Sequence, residues 1–518
     1  MLHINITTEP TTLDPTQQQW VYDADVGRMV FESLLVPKAD LSDVKPGAAS
    51  SYDVSSDGLT WTFHLRSDGK FSDGTPVTAA DFLTSYKRIL DPTVAAAYES
   101  FFGLIAGTQN YANVDAKNPA AVKSYLDGLG LSAPDDHTFV IKLQSAAPYF
   151  KWIAALWLAA PLKASEIAAA GSSFGALSAD APTKIIGNGA FKISEVAPKD
   201  HITIVPNPNY RTKPILQKVI FYEITDANVE YANFLNGQLD MTTVIPPANV
   251  ALVQNDPTLS KQAVRTPTLT TFWIDYNTTK APFDNVDLRL AFSKSIDRTS
   301  YVTNILKGVG TPITSMIPKG MSGYGPTNTQ SFDCTAAKAE LAKAKAAGVT
   351  DAQLANIHFE YRNSATRKTS SEFLQAQWKG CLGINVILDA KDSASVSQDL
   401  RKLNYQISGF SGWQADYPDG QDWYDIFLTG SGNQFSGWSN TEYDNQVKIG
   451  DNSPKSSDRA TAYTAAEKIL DAQAPVTFVF QNINFFLVSP KLKGITYSAI
   501  DDYWYGDVGS ALTQYISQ

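Results

Sequence analysis

Apolar and polar residues alternate without interruption over residues 59–66 (LTWTFHLR). A period of two residues is typical of a β-strand with one buried face. Asp57-Gly58, immediately before this segment, favours a tight turn, and residues 52–54 have the apolar positions of a partner strand. The pattern therefore predicts a β-hairpin. Further strands are predicted at residues 139–143, 202–205, 218–224, 384–388 and 476–480.

Other segments carry apolar residues three and four positions apart, which places them on one face of a helix. Phe82, Tyr86 and Ile89 follow this spacing. They are preceded by Thr78 and Asp81, which stand as in a capping box at the start of a helix. Because strands and helices alternate irregularly, we predict a mixed α/β fold. Further helices are predicted near residues 288–296, 335–347 and 457–471.

The composition sets limits on size and on partners. The chain has 518 residues, for which two or three domains are expected. With 43% hydrophobic and only 18% charged residues, it differs from disordered chains and can bury large cores. The net charge is −10, and lysine and arginine form no cluster, which argues against nucleic acid or an anionic membrane as the main partner.

No segment of the sequence predicts a membrane span. The most apolar stretch, residues 152–162, is far shorter than the roughly 20 residues that a spanning helix needs. Residues 1–15 lead directly into strand-like alternation and contain no apolar signal segment. The protein is therefore either cytosolic or has lost a leader, and composition does not decide between the two.

Cys334 and Cys381 are the two cysteines of the chain. They can form one disulfide or remain two unrelated buried thiols, and the spacing leaves both possibilities open. Neither belongs to a C-x-x-C pair, and the histidines are scattered without H-x-x-x-H spacing. We therefore expect no structural zinc site, and no other metal or cofactor.

The glycine-rich phosphate-binding motifs of two common enzyme classes are absent. The sequence contains no G-x-G-x-x-G and no G-x-x-x-x-G-K-[ST]. Acidic residues recur at positions 416, 419, 422 and 425, a spacing that suits a helix face or an irregular loop better than a calcium loop. A glycoside hydrolase would need two carboxylates at a defined separation, which a sequence does not reveal. We expect no catalysis, with a glycoside hydrolase as the less favoured alternative.

An ordered set of sequence blocks extends over nearly the whole chain: EPTTLDP (9–15), VFESLL (30–35), KPGAASSYDVSSDGLTWTFHLRSDGKFSDGTPVTAADFLTSYKRIL (45–90), IIGNGAFKI (185–193), VPNPNYR (205–211), FLNGQLD (234–240), FWIDYNTTKAPFDNVDLRLAFSKSIDR (272–298), CLGINVIL (381–388) and GWQADYPDG (412–420). The set resembles the extracytoplasmic solute-binding proteins of ABC importers. Within them it is similar to the peptide/nickel-binding group, family 5, typified by oligopeptide- and dipeptide-binding proteins. Each block alone is weak, but their common order is specific.

The resemblance implies an α/β, two-lobed, periplasmic-binding-protein-like (type II) fold with a hinge and an extra domain in the N-terminal half. The hinge strands are expected near Thr268–Asp275 and Phe478–Leu487. Ligand would bind between the lobes, which close around it in the manner of a Venus flytrap. The expected parts are a discontinuous lobe I (residues 1–45, 182–268 and 486–518), the extra domain (46–181) packed on lobe I, and lobe II (269–485).

The resemblance also implies ligand-binding residues. Asp416 matches an acid that pairs with the α-ammonium of a bound peptide, because a buried ammonium needs a fixed anion. Trp413 would form a wall of the same pocket. The alternative is that Asp416 caps a turn and Trp413 belongs to a core. Phe410 and Gln414 depart from a well-known oligopeptide binder, which has an arginine and a disulfide cysteine there, so the accepted peptide length is not transferable.

Further ligand contacts follow from the same resemblance. Arg367 and Arg401 match positions where peptide binders place cations near the ligand's C-terminus, and an arginine fork binds carboxylates well. Their alternative is a solvated surface charge. The remaining candidates, for which ordinary packing is the alternative, are Gln19, Trp20, Val21 and Tyr98.

The expected function is a non-catalytic receptor that captures oligopeptides and delivers them to the permease subunits of an ABC transporter. An oligosaccharide or another small solute is the alternative ligand on the same scaffold. We expect a monomer that works outside the cytoplasmic membrane, either free in the periplasm or as a surface lipoprotein, with its leader removed before Met1.

Overall fold

A computed structural model describes residues 1–321, 325, 327–500 and 515–516. It divides into two compact units, of which unit 1 comprises Met1–Thr266 and Phe485–Gln518 and unit 2 comprises Pro267–Asn484. Part of the predicted lobe I, residues 501–514 and 517–518, lies outside the described residues. The three-part division into lobes and extra domain stays a prediction.

The strands of the described residues form the predicted hairpin and the sheets of the two units. In chain order they are β1 (Leu2–Asn5), β2 (Leu35–Pro37), β3 (Val44–Pro46), β4 (Ala49–Val54), β5 (Thr60–Leu65), β6 (Leu131–Asp135), β7 (Thr138–Lys142), β8 (Phe191–Ala197), β9 (His201–Pro206), β10 (Val219–Tyr222), β11 (Ala263–Tyr276), β12 (Thr311–Pro312), β13 (His358–Arg362), β14 (Ile387–Lys391), β15 (Ile407–Gln414), β16 (Val476–Leu487), β17 (Leu492–Lys493) and β18 (Tyr515–Ile516). The chain enters unit 2 within β11 and leaves it within β16.

Helices of the described residues connect these strands. In chain order they are α1 (Val21–Val30), α2 (Ala79–Ile89), α3 (Pro119–Asp127), α4 (Phe150–Ile153), α5 (Ala164–Ala170), α6 (Ala181–Lys184), α7 (Ala227–Leu235), α8 (Val250–Asn255), α9 (Val286–Lys294), α10 (Arg298–Asn304), α11 (Cys334–Ala346), α12 (Asp351–Leu354), α13 (Ala365–Leu382), α14 (Ser393–Lys402), α15 (Gln421–Tyr424), α16 (Thr441–Asn452) and α17 (Ser456–Gln473). Each of these helices is too short or too polar to cross a membrane.

The predicted hairpin belongs to the antiparallel sheet β4-β5-β7-β6 of unit 1. Tyr52 pairs with Phe63 and Val54 with Trp61, as the alternation predicts. Trp61 and Phe63 are buried, since the period of two directs every second side chain of β5 to the core. The predicted helix α2 begins after Thr78, whose N–H donates to an Asp81 carboxylate oxygen at 2.8 Å.

A second sheet of unit 1 has the order β1-β10-β9-β8. Its β1–β10 pair is parallel and its other pairs are antiparallel, so the N-terminal strand pairs with a segment more than 200 residues later. Leu2, Ile204 and Phe221 are fully buried in the core of this sheet. The beginning of the chain is therefore an integral part of unit 1.

Unit 2 is built on a six-stranded sheet of order β12-β16-β11-β15-β13-β14. β13 runs parallel to β14 and β15, whereas β11 is antiparallel to β15. The strand predicted at 384–388 begins three residues late, at Ile387, which pairs with His358. Ile384 and Val386 are apolar because they pack into the core before pairing starts, which is why alternation placed the strand too early.

A disulfide joins Cys334, the first residue of α11, to Cys381 in the last turn of α13. Of the two possibilities that the sequence left open, the structure has the bonded one. Closing a loop of this length restricts the unfolded chain and stabilises the fold by about 2–4 kcal/mol. The bond therefore ties together two helices that pack against each other.

Arg298 is a buried cation that fastens α10 to the strand β16. Its guanidinium donates to the carbonyl of Phe478 at 2.6 Å, to the Ser293 and Ile296 carbonyls, each at 3.3 Å, and to the Ser293 hydroxyl at 3.0 Å. Burial lowers the pKa of Arg298 to about 10, so the group keeps its charge near neutral pH. The guanidinium thus joins the turn that follows α9 to the strand β16.

Candidate ligand-binding site

The residues proposed to bind ligand fall into two groups, one in each unit, and each group is described by itself. In unit 2, Trp413 is the penultimate residue of β15, where it pairs with Thr271 of β11. The N–H of Ala415 still donates to the Leu269 carbonyl at 2.8 Å, so Asp416 follows directly after the last bond to β11. The rigid sheet thus sets the position of this loop.

Asp416 lies between two buried residues. Ala415 and Tyr417 are 3% and 2% exposed, whereas Asp416 is only partly buried. The Tyr417 hydroxyl also donates to Gln421 in α15. With both neighbours packed, the backbone at Asp416 is restrained.

Asp422 contacts both of these residues through one carboxylate oxygen. Its Oδ2 accepts the N–H of Asp416 at 3.0 Å and the indole N–H of Trp413 at 3.4 Å. Asp422 is 4% exposed, and burial together with the nearby Asp416 charge raises the pKa of the Asp422 carboxyl well above its usual range. Sequence reasoning noted this acid only for its spacing and did not select it as a site residue.

Asp419 fastens the same loop at a second point. Its carboxylate accepts from the Arg459 guanidinium in α17 and from the N–H of Gln421, the latter at 3.0 Å. The loop between β15 and α15 is therefore held to the sheet on one side and to α17 on the other. Such double attachment pre-organises a binding group before any ligand arrives.

Arg367 lies in the first turn of α13, with its guanidinium carbon 5.0 Å from the centre of the Phe410 ring. Partial burial and the neighbouring Arg362 lower the pKa of Arg367. Within the described residues neither arginine forms an ion pair, although Arg362 donates to the Ser397 hydroxyl at 3.4 Å. A guanidinium group without an ion pair suits an anion. Arg362 was not selected from the sequence, where only Arg367 matched a cation of the family.

Arg401 has different surroundings. It is exposed in the last turn of α14, where a positive charge favours the carbonyl end of a helix. In the part of the chain that the structure describes, its side chain has no hydrogen bond or ion pair. This environment matches a solvated helix charge, the alternative that the sequence left open for this residue.

The candidates of unit 1 begin with Gln19, Trp20 and Val21, at the start of α1. Val21 is the first residue of that helix. The buried carboxylate of Asp23 accepts the N–H of Gln19 at 3.2 Å and of Trp20 at 3.1 Å. Trp20 is 48% exposed, and its ring lies parallel to that of Tyr22 with centres 6.2 Å apart. The helix start thus presents an exposed aromatic ring on a fixed backbone.

Tyr98 adjoins this helix start. Its hydroxyl donates to the Gln19 carbonyl at 3.4 Å, a weak hydrogen bond, and its ring stacks on Phe101 with centres 5.0 Å apart. Trp157 meets the Tyr98 ring edge-on and carries the Arg28 guanidinium over its own ring at 5.0 Å. Gln19, Trp20 and Tyr98 are therefore neighbours on one unit, although 79 residues separate Gln19 from Tyr98.

Across residues 1–321, 325, 327–500 and 515–516, no group of three or more His, Cys, Asp or Glu side chains is arranged to hold a metal ion. The Asp419 carboxylate accepts from Arg459 and from the N–H of Gln421, and the Asp422 carboxylate accepts from the N–H of Asp416 and from the Trp413 ring. What this region offers chemically is a carboxylate beside an indole, suited to a cationic group.

Comparison with known proteins identifies the family of the chain. Residues 43–435 match the bacterial extracellular solute-binding proteins, family 5. The chain is 28% identical to the periplasmic oligopeptide-binding protein OppA of Haemophilus influenzae, over 97% of this chain and 92% of the relative.

Solved structures extend the comparison to the fold. The unliganded open form of the murein tripeptide-binding protein MppA is 27% identical, with a TM-score of 0.82 over 99% of this chain and 97% of that one. The Haemophilus influenzae OppA complex with RPPGFSPFR has a TM-score of 0.79 at 27% identity, over 100% and 99%. This likeness confirms the predicted α/β, two-lobed periplasmic-binding-protein fold. The chain therefore belongs to family 5 of the bacterial extracellular solute-binding proteins.

Proposed function

We propose that this chain is the receptor of an ABC importer and that it captures oligopeptides for delivery to the membrane permease. The observation that carries the proposal is the Asp416–Trp413 pair, held by Asp422 where the central strand β15 ends. The chain also matches a relative named as an oligopeptide-binding protein over nearly its full length. A structure of that relative contains a peptide.

Unit 2 offers groups of opposite charge that suit the two ends of a peptide. Asp416 would pair with the α-ammonium, with the Trp413 ring against the adjoining apolar atoms. Arg367 and Arg362 would attract the terminal carboxylate, and Arg401, being exposed, would add at most long-range attraction. From unit 1, Gln19, Trp20, Val21 and Tyr98 would contact the peptide. Main-chain pairing would give affinity that does not depend on side-chain identity.

The proposed closure uses the two strands in which the chain passes between units, β11 and β16. We propose lobe I as residues 1–45, 182–268 and 486–518, the extra domain as 46–181 and lobe II as 269–485. A ligand closes such a protein only through contacts that exist in the closed state and not in the open one. Pairing of one ligand with residues of both units supplies contacts of that kind.

The family consists of extracellular solute-binding proteins, and this chain shares that class. We propose further that it performs no catalysis, that it acts as a monomer, and that it works outside the cytoplasmic membrane, free or lipid-anchored. The acids of the 416–425 loop support the absence of catalysis, because Asp419 is committed to Arg459 and Asp422 to backbone and indole donors.

A receptor for an oligosaccharide or another small solute is the second candidate. The observation that favours it is the exposed Trp20 ring stacked with Tyr22, because exposed aromatic faces also bind the apolar faces of sugars. A receptor for a neutral sugar would have no role for the Asp416 carboxylate beside Trp413, because such a ligand needs no fixed anion. The two candidates therefore predict different ligands for the same protein.

A thermal-shift panel separates these candidates. We expect trialanine, pentaalanine or RPPGFSPFR to raise the melting temperature by several degrees, because a ligand at 100 times its Kd stabilises the folded state by about 2.7 kcal/mol. Maltotriose, chitotriose and nickel ions serve as the matched alternatives and should leave the melting temperature unchanged. A shift with a glycan and none with any peptide would contradict the proposal.

A further inference from the structure

A single buried oxygen links the two residues proposed to bind the ligand's amino end. Asp422 Oδ2 accepts one hydrogen bond from the Asp416 backbone and another from the Trp413 ring, at 3.0 and 3.4 Å. Trp413 precedes Asp422 by nine residues and Asp416 precedes it by six. A common acceptor therefore fixes the separation of an indole on β15 from a loop residue that has left the sheet.

The surroundings of Asp422 exclude a direct role in ligand contact. The residue is 4% exposed, and its neighbours Trp423 and Tyr424 in α15 are buried as well. Among the described residues, its second oxygen, Oδ1, has no hydrogen-bond partner. Burying a carboxyl with one unpaired oxygen costs free energy. Asp422 is nevertheless buried at the start of α15, where its other oxygen bonds to both Asp416 and Trp413.

We propose that Asp422 is a positioning residue for ammonium recognition: it orients the Asp416 carboxylate and the Trp413 ring toward the ligand's α-amino group. This inference rests on the proposed function. It adds to that function the claim that Asp422 affects recognition of the ligand's amino end and of no other part of the ligand. The neighbouring Asp419 fastens the same loop through Arg459 and touches neither Trp413 nor Asp416 in any hydrogen bond of the described residues.

The proposal predicts an effect that depends on the ligand's amino group. In metal sites, outer hydrogen bonds that orient a binding group are worth about 10–100-fold in affinity, and we expect about tenfold here. Asp422→Ala should weaken binding of a free-amine peptide by about that factor. It should weaken binding of the N-acetylated peptide less than about twofold, because that ligand has no ammonium to orient. Asp422→Leu, which fills the space without an acceptor, should behave in the same way.

Two further variants separate positioning from folding. Asp422→Asn keeps an acceptor oxygen and should restore binding of the free-amine peptide to within about threefold of wild type. Asp425→Asn is the matched control, because Asp425 is a nearby acid that contacts Gln421 rather than Trp413 or Asp416. We call the ratio of the affinities for the free-amine and the acetylated peptide the amine selectivity, and it should stay unchanged in this variant. Circular dichroism and melting temperature verify that each variant is folded.

The experiment is isothermal titration of the tightest peptide among trialanine, pentaalanine and RPPGFSPFR, with free and with acetylated amino terminus, into wild type and the four variants. Loss of amine selectivity in Asp422→Ala and Asp422→Leu, with recovery in Asp422→Asn, supports the proposal. If wild type is selective and both acceptor-free variants keep that selectivity, or lose affinity for both peptides equally, Asp422 is not a positioning residue. If wild type binds no peptide, the proposed function fails, and this inference with it.

Discussion

Replacing Asp416 by alanine is expected to weaken peptide binding by about 3–5 kcal/mol, as when one member of a buried ion pair is removed. The α-ammonium of the ligand would then enter the site without an anion. The other acids of the loop do not substitute for Asp416, since Asp419 is paired with Arg459 and Asp422 bonds to Trp413 and to the Asp416 backbone. Asp416→Asn should lose nearly as much, because an amide brings no charge.

Isothermal titration of a peptide with a free amino terminus measures this loss. Asp458→Ala is the matched control, because Asp458 is an exposed acid in the first turn of α17 and its removal changes the net charge equally. That control should bind within about 0.5 kcal/mol of wild type. Unchanged affinity in Asp416→Ala would show that this carboxylate does not anchor the ligand.

Replacing Arg298 by methionine is expected to lower the free energy of unfolding of unit 2 by about 3–5 kcal/mol. The change removes the guanidinium donor from the buried carbonyls of Phe478 and Ile296. The Ser293 carbonyl and hydroxyl lose the same donor but keep a bond to the Ile296 N–H and to Gln330, respectively. Each buried polar group left unpaired costs about 1–3 kcal/mol. Methionine fills most of the volume, so the loss reports hydrogen bonds more than packing.

Denaturant unfolding followed by circular dichroism measures this effect. Arg401→Met makes the same chemical change at an exposed position of the same unit and should alter stability by less than about 0.5 kcal/mol. Unit 1 does not contain Arg298, so a separate transition of that unit should stay in place. An unfolding free energy for Arg298→Met within about 1 kcal/mol of wild type would contradict the structural role of this arginine.

The sequence predicted best those elements whose signals are local. The hairpin of β4 and β5 follows from alternation over a few residues with a turn between them, and pairing of Tyr52 with Phe63 is the direct result. The start of β14 was wrong by three residues because Ile384 and Val386 are apolar for packing and not for pairing. The partnership of β1 with β10 has no local signal at all, since more than 200 residues separate them.

The residues of the candidate site also differ in whether the sequence pointed to them. Asp416 and Trp413 were selected because the ordered set of family blocks includes them, and their role stays a proposal. Asp422 was not selected, because its place in the proposed site depends on one carboxylate oxygen that the path of the loop brings to Trp413 and Asp416. Arg367 and Arg401 looked equivalent in the sequence. They differ because the Phe410 ring packs under Arg367 while Arg401 stays exposed.

The most direct test of ammonium recognition by Asp416 is to measure the affinity of the wild-type protein for one peptide, first with its amino terminus free and then with it acetylated. Because Asp416 is proposed to pair with the α-ammonium, acetylation should weaken peptide binding by about 3 kcal/mol or more, which is over a hundredfold in Kd. Equal affinities for the two forms would show that the amino end is not recognised and would contradict the assignment of Asp416 and Trp413 to it.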